Sequence, residues 1–131
     1  MTIESHVRVT TGSEEPRGIE VAEEAFDPSG LVLTVRGELD IATAPALRDR
    51  LNAAIDAGKH RLVVDLSAIS FVDSVALATI VHAKQRLSED GRLAVAIDPT
   101  SYVMLVFESG GLRKVLDLVG TRAEAIALVS R

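Results

Sequence analysis

The chain has 131 residues, a length that suits one domain, and 47% of them are apolar, enough to fill a core. Fourteen basic residues stand against 19 acidic ones, a net charge of −5, and aromatics make up only 3%. A basic face for nucleic-acid phosphates and a platform for stacking bases are thereby excluded, and the lack of cysteine excludes disulfides, thiol catalysis and cysteine metal sites.

Residues 1–18 read as a flexible N-terminal tail, because Thr10, Thr11, Gly12, Ser13, Glu14, Glu15 and Pro16 follow one another without periodicity. Glu4 interrupts the start early and no long apolar run follows, so no secretory signal is read there. Nowhere does an apolar stretch reach membrane-helix length. The expectation is a cytoplasmic domain over residues 19–131.

Ile19, Val21, Ala25 and Phe26 predict a weak first strand. Asp27-Pro28-Ser29-Gly30 is a turn by composition, and Leu31, Leu33 and Val35 alternate as a strand that closes a hairpin. Thr43 before Pro45 marks a helix start, with Leu47, Leu51, Ala54 and Ile55 at helical spacing and Gly58 as its end. Arg61–Asp65 is a short buried strand. Asp73-Ser74 opens a second helix with a stripe of Ala76, Ile80, Ala83 and Leu87, widened by Leu77 and Val81. Leu93–Ile97 is a further strand, and Tyr102 to about Glu108 a third helix stopped by Gly110-Gly111. Val115–Leu118 suits a short last strand, and Thr121 caps a final helix bearing Ala125, Ile126 and Val129. Strands alternating with amphipathic helices predict an α/β fold: a mixed, mostly parallel sheet of four to five strands with about four helices packed against it. Function in such folds gathers where helices begin, at the C-terminal ends of strands.

Enzyme readings find little support. Of three histidines, His6 falls in the tail and His60 at the opposite end of a strand from Ser74. His82 follows Ser74 by eight residues on one helix, roughly 12 Å away along the axis, too far to act as its base. There is no G-x-S-x-G elbow, no P-loop and no G-x-G-x-x-G, and no ligand cluster has metal spacing, so neither cofactor nor metal is expected. Asp65 and Asp73 are candidates to converge near strand ends, but no lysine follows to neutralise them, and structural capping explains them better. For Phe71-Val72-Asp73-Ser74-Val75-Ala76-Leu77 two readings stay open. In one, Asp73 or Ser74 simply caps the helix. In the other, Ser74 accepts a phosphate, whose charge would meet free N–H groups at the helix start.

Three segments resemble the STAS domain of bacterial anti-anti-sigma factors, also called anti-sigma factor antagonists. Gly37-Glu38-Leu39-Asp40-Ile41-Ala42-Thr43-Ala44 is similar to the family's G-E-L-D-x-x-T-A. Ile69 to Leu77 is similar to its F-x-D-S-x-G-L, and Val106-Phe107-Glu108 through Gly111-Leu112 to its L-F-x-x-x-G-L. The match runs from about Leu31 to Val129. It implies the STAS fold and a non-enzymatic role: binding a cognate anti-sigma factor, itself a serine kinase, to release a sigma factor. It also implies that Ser74 is the phosphoacceptor, that Asp73 precedes it, and that Asp40 stands near it on the partner surface. Helical spacing adds Val75, Thr79 and His82 to that surface, and with Asp40, Thr43 and Ala44 they are expected to frame Ser74 as partner contacts. Two positions depart from the pattern: Val75 and Ala76 stand where the family commonly has Ser or Thr, then Gly. The alternative role is a STAS subunit of another assembly, a stress-sensing scaffold or a lipid-transport complex. In the third helix Tyr102, Met104 and Leu105 cannot all face one way. They are read either as a contact for a homodimer or second protein, or as a helix more deeply buried than usual.

Overall fold

The computed structural model describes residues 7–10 and 18–131. Three strands come first: β1 (Val7–Thr10), β2 (Ile19–Asp27) and β3 (Gly30–Leu39). They are followed by α1 (Ala44–Asp56), β4 (Arg61–Val72), α2 (Ser74–Arg86), β5 (Arg92–Ala96), α3 (Tyr102–Ser109), β6 (Asp117–Val119) and α4 (Arg122–Val129). A turn of 3-10 helix at Leu112–Lys114 links α3 to β6. The strands form one sheet in chain order, antiparallel from β1 to β3 and parallel from β3 to β6. This is the mixed, mostly parallel sheet expected, with β1 as an added edge. That strand lies inside the segment assigned to a flexible tail and corrects it there: pairing with β2 gives Val7–Thr10 backbone partners that its composition does not advertise. Residues 1–6 and 11–17, His6 among them, lie outside the described residues.

The strands alternate between two cores. Leu62, Val64 and Leu66 of β4 face the large cluster under α1, α2 and α3, while Val63 faces a smaller one with Ala125 and Val129 of α4. Asp65 lies on the α4 side, where Arg122 Nε donates to it at 3.2 Å, and the Arg122 guanidinium also donates to Thr34 Oγ1. Asp65 and Asp73 therefore do not converge. One anchors α4 to the sheet, and the other stands past the end of β4. Strand β4 itself runs seven residues beyond the predicted Asp65, to Val72. Its second half lacks alternation because register shifts against β3 interrupt the pleat, leaving Ser67, Ala68 and Ser70 exposed.

Helix α3 separates the three residues that the sequence grouped. Val103, Met104 and Phe107 are buried, Met104 at 4% exposure, whereas Tyr102 and Leu105 are exposed. At 100° per residue, positions 103, 104 and 107 share the inward arc and positions 102 and 105 the outward one. The contact read through Met104 is thus corrected: of the three residues only Tyr102 and Leu105 are exposed. Met104→Lys would bury an unpaired ammonium and should destabilise the fold by about 3 kcal/mol or more in urea denaturation. Leu105→Arg should change stability by no more than about 0.5 kcal/mol and reduce any self-association seen in sedimentation.

Candidate functional site

Strands β3, β4 and β5 are neighbours and parallel, so the chain leaves all three at the same edge of the sheet and enters α1, α2 and α3 there. The segment between β3 and α1 is built by its own side chains. Asp40 Oδ1 accepts from the N–H groups of Ala42 at 2.9 Å and Thr43 at 3.0 Å. In return, Thr43 Oγ1 accepts from the Asp40 N–H at 2.9 Å and donates its one proton to the Glu38 carbonyl at 2.8 Å. This is a reciprocal cap, the physical content of the Asp-x-x-Thr spacing. It occupies Asp40 with the loop and buries the side chains of Thr43 and Ala44, each 2% exposed. Those two were expected to frame Ser74 as contacts. The structure instead makes them the floor of the loop and turns Ile41, 70% exposed, outward.

Across from this loop, Asp73 is the N-cap of α2 in extended backbone. Its Oδ1 accepts from the N–H groups of Val75 at 3.0 Å and Ala76 at 3.2 Å, while Oδ2 accepts from the Ile41 N–H at 3.1 Å. One carboxylate thus joins the start of α2 to the loop after β3. Ser74 is the first residue of the helix and is exposed; no described residue is hydrogen-bonded to its hydroxyl. Of the two readings of this segment, the cap belongs to Asp73, and Ser74 is left free of it. The two departures from the family pattern do not disturb the cap, which uses only backbone N–H groups. Ala76 points its methyl into the core, and Val75 is 40% exposed beside Ser74.

Further along α2, Thr79 is half-buried and His82 exposed. Both line a shallow groove against α1 with Arg48, Asn52 and Arg86. The groove is braced by Arg86, which donates to Asn52 Oδ1 and Asp56 Oδ1, each at 2.9 Å. His60 is exposed at the entry to β4, the far end of the strand, and cannot reach Ser74. At the end of β5, Asp98 accepts from the Thr100 N–H and hydroxyl, which hold its carboxyl below the usual carboxylate range.

Exposed apolar side chains mark the same edge. Among the described residues six large hydrophobics are exposed, and four of them stand where β3, β4 and β5 end: Ile41, Phe71, Val75 and Tyr102. Sequence reasoning missed Ile41 and Phe71. Ile41 fills a variable position of the first motif, and its exposure follows only from how Asp40 and Thr43 turn the loop. Such a concentration of apolar surface at one edge suits a protein contact better than solvent. No described helix is long and apolar enough to cross a membrane.

Comparison with known proteins agrees with this geometry. The model of the family described as "Mlab, STAS domain" matches residues 22–120. The anti-sigma-F factor antagonist RsfB of Mycobacterium tuberculosis is 31% identical over 64 residues, 49% of this chain and 52% of RsfB. The chain thus spans about half the length of that curated relative. The crystal structure of an anti-sigma factor antagonist from Mycobacterium paratuberculosis superposes with a TM-score of 0.78 at 27% identity, covering 93% of this chain and 100% of that one. The anti-sigma factor antagonist SpoIIAA in its unphosphorylated form gives a TM-score of 0.71 at 25% identity, covering 84% of this chain and 96% of that one. With a family model that spans the sheet edge, the capped loop and the start of α2, the chain belongs to the STAS domain family.

Proposed function

We propose that this chain is an anti-sigma factor antagonist that works in the cytoplasm. It binds a cognate anti-sigma factor, itself a serine kinase, and so releases a sigma factor; phosphorylation of Ser74 ends the binding. The observation that carries the reading is an exposed hydroxyl, to which no described residue is hydrogen-bonded, at the start of α2 and at the edge where Ile41, Phe71, Val75 and Tyr102 are exposed. The names of RsfB and SpoIIAA support the role. The chain needs no catalytic group of its own, since the kinase and its nucleotide belong to the partner. Contact residues are Ser74, Val75, Thr79 and His82, with Asp40, Asp73, Thr43 and Ala44 holding the surface in shape. A second reading, a STAS subunit of another assembly, is favoured only by the name Mlab in the family description.

Co-purification from the native host tests the role. Wild type and Ser74→Ala should retain an anti-sigma factor identified by mass spectrometry, and Ser74→Asp should lose it. Retention of a permease complex instead would favour the second reading. On the same surface, Thr79→Arg places a third guanidinium beside Arg48 and Arg86. It should weaken binding of the purified partner about tenfold, or about 1.4 kcal/mol, without moving the melting temperature. Unchanged affinity would remove the α2 face from the interface.

A further inference from the structure

The groove between α1 and α2 carries charge of the opposite sign to the chain as a whole. The chain is acidic, with a net charge of −5, yet the ionisable residues lining this groove are Arg48, His82 and Arg86, all exposed, and no described carboxylate lines it. Leu51 and Ala83, both buried, give it an apolar floor. Arg86 is held from α1: its terminal nitrogens donate to Asn52 Oδ1 and Asp56 Oδ1, which leaves further N–H groups of the guanidinium for another acceptor. Arg48 pairs with Asp49, its neighbour in the chain, and an exposed pair of this kind holds weakly. Asp49 and Asp56 offset part of the positive charge from outside the groove. The groove also continues the contact surface proposed above. Val75, Thr79, His82 and Arg86 follow one another at helical spacing, a strip of α2 that runs roughly 16 Å from the Ser74 end.

We infer that this groove receives a glutamate side chain of the anti-sigma partner, held by Arg86 and Arg48. The inference rests on the reading that such a partner binds this face. A carboxylate is planar and pairs with a guanidinium through two parallel N–H···O bonds, each stronger than a bond between neutral groups. Arg86 loses little side-chain freedom in making them, because Asn52 and Asp56 already fix its plane. The two methylenes of a glutamate suit Leu51 and Ala83 while its charge reaches the arginines. Nucleic acid fits less well, since it would lay many phosphates along a chain with five excess negative charges. A second copy of this chain would meet the same repulsion. Thr79 lines the groove too, so an arginine there fills the space that the carboxylate needs, whatever charge it adds.

An NMR titration of the full 15N-labelled chain with a blocked tetraglutamate peptide tests the groove without a partner. The side-chain N–H signals of Arg48 and Arg86 and the Ala83 amide should shift together and saturate, with half-saturation at about 5 mM, a strength that suits a single exposed carboxylate. A blocked tetraglutamine peptide should leave them unmoved. Arg48→Glu breaks no described contact between the helices and should abolish the shifts. Arg86→Lys keeps the charge but not the planar fork and should weaken binding about threefold. Shifts that are absent, or equally large at Arg36 and Arg113, which are exposed elsewhere, overturn the inference. Tighter binding of a single-stranded DNA oligonucleotide at the same residues overturns it in favour of nucleic acid. Groove signals that move with protein concentration alone overturn it in favour of a second copy. With the purified anti-sigma factor, Arg48→Glu should lower the affinity about tenfold, and high salt should narrow the gap. Unchanged affinity would keep the proposed function and reject the carboxylate contact. If wild type retains no anti-sigma factor, the proposed function fails and the named partner with it, and the peptide titration alone decides whether the groove takes a carboxylate.

Discussion

Phosphate on Ser74 should lower the affinity for the anti-sigma partner about a thousandfold. The modification adds a charge of about −1.5 to −2 at a surface that already holds the carboxylates of Asp40 and Asp73. It also sets a strongly hydrated group against Val75 and Ile41, which are exposed at this edge and would be buried in a complex. Repulsion and lost hydration together amount to about 4 kcal/mol, and each 1.4 kcal/mol is about a factor of ten in Kd. Calorimetric titration of the purified partner with the unmodified and phosphorylated chains measures the difference directly. Equal affinities would remove Ser74 as the switch and leave the fold untouched.

Gly37→Ala should have the largest effect on stability among single-methyl changes in the first motif. Gly37 has φ +103, a conformation side chains avoid, and a Cβ there would stand 2.0 Å from the Gly18 carbonyl oxygen. That oxygen accepts from the Glu38 N–H at 2.7 Å, so it cannot withdraw without breaking the contact between β2 and β3. Backbone strain of about 1–3 kcal/mol combines with the displacement of a strand end. A loss of about 3 kcal/mol and a fall in melting temperature of roughly 10 °C are the expected result. Thermal unfolding followed by circular dichroism checks this, and a Tm within about 2 °C of wild type would mean that the two strands separate here at little cost. Because Glu38 and Asp40 follow directly, the variant should also loosen the loop that presents Ile41.

The glycine shows how much of the site was legible before the fold was known. Gly37, Asp40 and Thr43 were visible as a motif, and the structure supplies their reasons: a close strand contact, a cap and its reciprocal partner. The helix starts at Asp73-Ser74, Ser101-Tyr102 and Thr121 were legible for the same kind of reason, since a cap and the N–H groups it serves lie within three residues. Alternation placed β3, a short continuous apolar run placed β5, and 3.6-residue spacing placed the buried stripe of α2.

What the sequence determined by itself was therefore local: the alternation of strands and helices, most of the core, and a serine at the head of α2. What only the tertiary structure decided depends on strand register and on which helix face turns inward. Met104 sat one residue from an exposed and a buried neighbour, and only the packing of α3 on the sheet chose its side. The pairing of Asp65 with Arg122 across 57 residues, and of Asp73 with Ile41 across 32, leaves no periodic trace because no local interaction encodes it. Periodicity reports how a residue relates to its neighbours along the chain. The contacts that shape this site are made between segments that meet only once the parallel strands are in register.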